Sequence, residues 1–173
     1  MVAEVTIRPF AEHDAAQVRE LFITVNRLLS PSHLRDALEA YIERALIEEM
    51  IVTRPTTASG TVVFGWLSEA TKWSAHSAWK RASDDAMELR RMHVDPSARR
   101  RGFARRMLQF AEDECRSRNV SRLQLSTAEI QQAALPLYRN AGYRLVREET
   151  VEALSNKTVG SGIRRYYLEK ILR

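Results

Sequence analysis

The sequence predicts an α/β domain of the mixed α+β kind, with a central, mixed but mostly antiparallel sheet flanked by helices. Three features predict it. Short extended segments and amphipathic helical segments succeed one another in the order βααβββαβαββ. The clearest helix, residues 102–118, lies between two extended segments, which marks a strand–helix–strand unit behind an antiparallel front. The length of 173 residues suits one core, because two independent cores would each be too small, so residues 1–173 read as a single domain.

Val5-Thr6-Ile7-Arg8 is a short first strand stopped by Pro9. Asp14 can cap a helix whose apolar face carries Val18, Leu21, Phe22 and Val25, and Pro31 ends it. A second helical pattern passes through Leu34, Leu38, Tyr41, Ile42 and Ala45. Met50-Ile51-Val52 reads as extended and, across a turn between Pro55 and Gly60, pairs with residues 62–67 as an antiparallel hairpin. Residues 70–85, with Trp73 and Trp79, show no clean period and read as a loop with at most a short helical turn. Strand character returns over 87–94. The helix at 102–118 then places Ala104, Met107, Leu108, Ala111 and Cys115 on one face. Residues 120–125 form a strand. Residues 130–141 are helical in pattern and stop at Gly142, although Pro136 favours a start later than Ile130. Residues 143–151 and 163–171 are final strands, joined by a polar linker containing Gly160 and Gly162.

Composition narrows the classes. With 45% hydrophobic and 28% charged residues, the chain is that of an ordinary globular protein. No apolar run approaches the roughly 20 residues needed to cross a bilayer, and nothing resembles a secretory leader. Membrane partners are therefore not expected. Cys115 is the only cysteine, which excludes an intramolecular disulfide and most metal clusters, so no metal is expected and a reducing, cytoplasmic setting is the simplest reading. A net charge of +5 and a pI near 9.7 favour an anionic partner, whether a phosphorylated coenzyme, nucleic acid or an acidic protein.

The informative stretch runs from Glu88 to Leu108. It begins as a strand, turns at Asp95-Pro96 and enters a helix at Gly102. A helix N-terminus exposes unpaired N–H groups and the positive end of the helix dipole, where phosphates bind readily. Gly102 has no Cβ to block a pyrophosphate. Ala104 is the next-smallest choice, and Arg99, Arg100 and Arg101 add charge beside the same place. The arginine run lacks the aromatic interleaving or module of a nucleic-acid site, so no nucleic-acid partner is expected.

Arg99-Arg100-Arg101-Gly102-Phe103-Ala104 resembles the central motif of the GNAT superfamily of N-acetyltransferases, Arg/Gln-x-x-Gly-x-Gly/Ala. Two further features strengthen the resemblance: the preceding Val94-Asp95-Pro96, and the downstream Ala134-x-x-Leu137-Tyr138-x-x-x-Gly142-Tyr143, similar to the family's second signature. The likeness spans essentially the whole chain. Within the superfamily, Glu88-Leu-Arg-Arg-Met92 looks most like the camello-like subgroup of small-substrate enzymes.

The resemblance implies acetyl-CoA as co-substrate and a primary amine as acceptor, on a small molecule or amino acid, with direct transfer and no acyl-enzyme. A protein amine, or a coenzyme-binding regulatory module without chemistry, are the other readings, and the molecule would act as a monomer or homodimer. The strand at Met92, His93 and Val94 would pair with the pantetheine arm. The amides of Arg99, Arg100, Arg101, Gly102, Phe103, Ala104 and Arg105 would hold the pyrophosphate, and Gln131 stands where many relatives place an Asn near the coenzyme. Tyr138 occupies the position of a general acid for the departing thiolate; simple ring packing is the other role open to it. An alkyl amine with a pKa of about 10.4 needs a base. Glu88 is the first choice, a purely structural ion pair with Arg90 being the other role open to it, and His93 is the second. Strand alternation puts Glu88, Arg90, Met92 and Val94 on one face and Leu89, Arg91 and His93 on the other. Of Arg90 and Arg91, one can read a carboxylate or phosphate on the acceptor while the other answers an internal acid such as Glu88.

Overall fold

The computed structural model describes the backbone of residues 6–50, 61–69 and 72–172, and the side chains of 6–48 and 74–172. Its elements in chain order are β1 (Thr6–Pro9), α1 (Ala15–Leu29), α2 (Arg35–Ala45), β2 (Thr61–Glu69), β3 (Lys72–Arg81), β4 (Ala86–Val94), α3 (Phe103–Ser117), β5 (Arg122–Ala128), α4 (Ala134–Asn140), β6 (Arg144–Val151) and β7 (Ile163–Ile171). The strands form one sheet in the order β1-β2-β3-β4-β5-β7-β6. Every neighbouring pair is antiparallel except β4 and β5, which run parallel. Parallel neighbours need a long crossover, and α3 supplies it. Helices α1 and α2 cover one face of the sheet; α3 and α4 cover the other.

The mixed, mostly antiparallel architecture is the one expected, with three local corrections. Residues 72–81 are not a loop but the central strand β3, and only a tight turn at 82–85 separates it from β4. Residues 74–79 are buried throughout, so they lack the one-face alternation that marks a half-exposed strand. Met50 closes a π-helical turn, Leu46–Met50, at the end of α2, while residues 51–60 lie outside those described. The expected hairpin does not form with Met50, because β2 already has β1 on one side and β3 on the other. Asp14 stands at the start of α1, but its carboxylate points backward, accepting from the Ala11 N–H at 2.8 Å and from both outer nitrogens of Arg8 at 2.7 Å. Helix α4 starts at Ala134, later than Ile130 as Pro136 favours, and Pro136 falls in its first turn, where a missing N–H costs nothing.

The main core lies between the sheet and α3. Leu108, Ala111 and Cys115 of α3 meet Met87 and Leu89 of β4, Leu123 and Leu125 of β5, and Tyr138 of α4. Burial pushes the Cys115 thiol up to about 11, so this cysteine is an inert core residue. Trp79 belongs to the same core, 6.2 Å from the Phe110 ring. The core also holds a carboxylate. Glu112 is buried and accepts from the Tyr143 hydroxyl at 3.1 Å and the Lys170 ammonium at 2.7 Å, with Arg116 at 3.6 Å. The group joins α3 to the start of β6 and the end of β7.

Removing one member of a buried charge cluster leaves its partners uncompensated, so Glu112→Ala should lower stability by about 3 kcal/mol in urea unfolding. Glu39→Ala, which breaks the exposed pair with Arg27, should move the midpoint little. Equal effects would show that Glu112 is not a structural tie.

Candidate active site

Strands β4 and β5 share hydrogen bonds only from Ala86–Arg122 to Leu89–Leu125. Both continue, β4 to Val94 and β5 to Ala128, but they part. Buried backbone N–H and C=O groups are almost always paired. The β4 groups that turn toward the gap therefore suit a ligand carrying amides of its own, which would extend the ladder.

On its other edge β4 stays paired with β3, but Ala78 faces Arg90 and His76 faces His93, so Arg91 and Met92 together oppose Ser77. This is a β-bulge, and Arg91 takes it up with a φ of +52°. A left-handed arginine costs about 1–2 kcal/mol. Contacts offset this: Nη2 of Arg91 donates to the Asn156 carbonyl at 2.8 Å, and its guanidinium lies 5.0 Å from the Phe22 ring. The bulge overturns strict alternation. Met87, Leu89, Met92 and Val94 pack on the α3 side, whereas Glu88, Arg90, Arg91 and His93 all turn to the α1–α2 side.

Past Val94 the chain is turned by Asp95, whose carboxylate accepts from the Ser97 N–H at 2.8 Å. Arg100 and Gly102 then adopt φ of +60° and +79°. The Arg106 N–H closes the first helical turn on the Gly102 carbonyl at 3.1 Å, so the amides of Phe103, Ala104 and Arg105 project from the end of α3. A Cβ built on Gly102 meets nothing within 4 Å. Glycine is thus favoured by the backbone conformation rather than by crowding, and the space before it is open to another molecule. Phe103 is buried against Met107 and Ala98, which anchors the helix start, with the Arg101 guanidinium 5.1 Å from its ring. Arg99, Arg100, Arg101 and Arg105 are exposed around this end. The arrangement fits a long anionic coenzyme, with its phosphates at α3 and its amide-bearing arm in the gap.

A cleft opens where the strands part. Residues 88–93 line it, together with Ser126, Ala128, Gln131, Ala134 and Tyr138. Asn26 of α1 and Tyr41 of α2 wall one side; residues 74–85 contribute nothing to it. Tyr138 is buried, its ring 6.0 Å from that of Tyr143, and burial lifts its hydroxyl to about 12. Gln131 uses its side-chain carbonyl within the chain, accepting from the Thr127 hydroxyl at 2.7 Å and the Ala128 N–H at 3.2 Å. Its NH₂ end is the part left to face a ligand.

Glu88 is held by Lys157, whose ammonium reaches both carboxylate oxygens at 2.8 and 2.9 Å, with the Arg90 guanidinium at 4.0 Å. The Arg90 contact was foreseeable, but Lys157 was not. Lys157, Asn156 and Val159 come from the loop between β6 and β7, which reads in sequence only as a polar linker. Arg165 of β7 also lines the cleft and was missed. Nothing local distinguishes it from Arg164, and the placement is set by long-range pairing.

His93 is buried, with its Nδ1–H donating to the Arg91 carbonyl at 2.9 Å and its ring 5.4 Å from Phe22 and 5.0 Å from His76. Burial, and then the Arg91 charge, push its pKa down to about 4; His76 is lowered for the same reasons. So weak and enclosed a base is poorly suited to proton abstraction near neutral pH. An unfolded histidine takes up its proton near pH 6.5, whereas folded His93 remains neutral until about pH 4. The unfolded chain therefore binds more protons in this window, and stability should fall as pH drops from about 6.5 toward 4, by about 3 kcal/mol for this residue. Urea midpoints across that range should show a shallower acid loss in His93→Phe. An unchanged slope would mean that His93 titrates alike in both states.

Residues 19–143 match the sequence model of the acetyltransferase (GNAT) family. Over 56 residues the chain is 41% identical to an IAA acetyltransferase of Azospirillum brasilense, a stretch that covers 32% of this chain and 37% of that protein. Among solved structures, the PaiA N-acetyltransferase of Thermoplasma acidophilum, in complex with coenzyme A, superposes with a TM-score of 0.74 at 14% identity over 97% of this chain and 99% of that one. The ribosomal-protein-S18-alanine N-acetyltransferase of Escherichia coli superposes with a TM-score of 0.69 at 17% identity, covering 98% and 94%. The strand gap, the glycine-led helix end and the match over residues 19–143 agree: the chain belongs to the acetyltransferase (GNAT) family.

Proposed function

We propose that the protein is an N-acetyltransferase that moves the acetyl group of acetyl-CoA directly to a primary amine on a small molecule or amino acid. The observation that carries this reading is the parting of β4 from β5 beside the exposed N-terminus of α3. In this reading the backbone of Met92, His93 and Val94 pairs with the pantetheine arm. The amides and arginines from Arg99 to Arg105 hold the pyrophosphate, and the NH₂ of Gln131 meets the coenzyme near its reactive end. A small acceptor is supported by the walls that α1, α2 and the β6–β7 loop build around the cleft. The Glu88-Leu-Arg-Arg-Met92 strand further supports a place near the camello-like members. Residues 1–173 then act as one catalytic domain, cytoplasmic, as a monomer or homodimer.

Transfer forms a C–N bond and breaks the C–S bond, so a proton must reach sulfur and another must leave nitrogen. Tyr138 is the donor to sulfur. With its pKa near 12 it keeps its proton at neutral pH, and the same burial that raises the phenol also penalises an unprotonated thiolate beside it. Glu88 receives the amine's proton. Because Lys157 occupies both of its oxygens, the amine reaches it through water or by displacing Lys157. Arg90 and Arg91 add positive charge to the acceptor side.

Thioester turnover with a panel of primary amines tests the reading. Tyr138→Phe should lower kcat by roughly 10- to 10⁴-fold, the usual range for a general acid, while acetyl-CoA affinity changes little. Equal turnover by both proteins would leave Tyr138 a packing residue.

A further inference from the structure

We propose that Arg165 is the anion-binding residue of the acceptor site, and that the molecule bound there carries a carboxylate. That this molecule is the acetylated amine rests on the function proposed above; the anion site itself does not.

Arg165 extends from β7, where it is paired with Ala128 of β5 and Glu149 of β6, and its side chain lines the cleft between Ser126 and Tyr41. Its position matters. Ser126 is the residue after Leu125, the last on β5 to pair with β4, so Arg165 reaches the cleft at the level where the strands part. Two of its nitrogens, Nε and Nη2, donate to one neutral oxygen, Ser126 Oγ, at 3.2 and 2.7 Å. A guanidinium has five N–H donors in a planar fork that matches a carboxylate. Among the described residues, no carboxylate is within ion-pair reach of it. The nearby acids are engaged elsewhere. Glu88 is taken by Lys157 and Arg90, and Glu149 accepts from the Tyr167 hydroxyl and from Arg147.

The charges lining the cleft point the same way. Among the described residues that line it, Arg90, Arg91, Lys157 and Arg165 face a single carboxylate, Glu88. Burial lowers the Arg165 pKa, and the attraction of its surroundings does not make up for the lost water. A partly buried cation whose hydrogen-bond partner is a hydroxyl and whose other neighbour is the Tyr167 ring, 6.0 Å away, costs free energy that a bound anion would recover. Ser126, while accepting from Arg165, keeps a hydrogen of its own to donate to the same anion. In the function proposed above, the phosphates of the coenzyme are held at the exposed end of α3 and leave Arg165 to another anion.

The test is calorimetric titration of the protein saturated with coenzyme A, using a panel of free amino acids and the matching amino-acid amides. Amine basicity differs within each pair, so the readout is the change in the acid-to-amide affinity ratio between wild type and variant. Arg165→Gln should reduce that ratio by about tenfold or more, the usual worth of a charge-assisted hydrogen bond. Arg165→Lys, which keeps the charge but not the fork, should retain part of the preference. Coenzyme A affinity and the thermal midpoint show that each variant is folded. A ratio unchanged in Arg165→Gln, or binding of no acid by the wild type, overturns the proposal. Acid-selective binding that depends on Arg165, without thioester turnover, upholds the anion site and sinks the acetyl-transfer reading instead.

Discussion

Beyond Leu89 and Leu125 the ladder between β4 and β5 stops, although both strands run on for several residues. A sheet interior has no water to satisfy what such a break exposes, so the opening holds its shape only if other constraints keep the strands apart. Two are evident. The bulge at Arg91 bends β4 and is fixed from outside by Phe22 and the Asn156 carbonyl. On the β5 side, Gln131 ties off the strand end through Thr127 and Ala128. Because β4 and β5 are parallel, the helix that joins them begins at the end of β4, and its positive terminus lands beside the opening. Sheet direction, strand parting and the exposed start of α3 are thus one arrangement.

The two ends of this arrangement differ in their electrostatics. At the α3 end the arginines are exposed, which suits a mobile polyanion arriving from solvent. At the acceptor end the charges are packed together: Glu88 under Lys157, Arg91 against Phe22, Arg165 on Ser126. Between them stand groups that burial keeps uncharged at neutral pH, Tyr138 with its pKa lifted and His93 with its pKa lowered. The proposed reaction, which expels a thiolate and releases a proton from the amine, is served by such a neutral centre, where a proton donor changes the barrier more than it would in water.

The strand–turn–helix end of the cleft was legible in the sequence because its determinants are local: a strand, Asp95-Pro96, three arginines and Gly102 fall within fifteen residues. Helix α3 was equally plain, since its apolar face repeats at the helical period. The acceptor end was not legible. Strand β3 is buried across Ser74 to Trp79 with small and polar residues, so neither alternation nor a strong apolar run announces it. The bulge at Arg91 falls on a residue type that gives no hint of positive φ, and that one residue moves Arg91 and His93 onto the face shared by Glu88 and Arg90. Lys157 and Arg165 reach the cleft only through pairing of β6 and β7 with distant parts of the chain. Long-range register, not residue type, decides their neighbours.

The central claim is that coenzyme completes the β4 ladder where β5 leaves it. Amide hydrogen exchange, read residue by residue by NMR with and without saturating coenzyme A, addresses it most directly. Binding should slow exchange at those amides of Met92, His93 and Val94 that face the gap, and at Phe103, Ala104 and Arg105 at the helix end. Amides joining β2 to β3 should be unaffected. Protection confined to the helix end, with β4 unchanged past Leu89, would contradict the account, since phosphate binding alone would then explain the affinity and the parted strands would have no role in it.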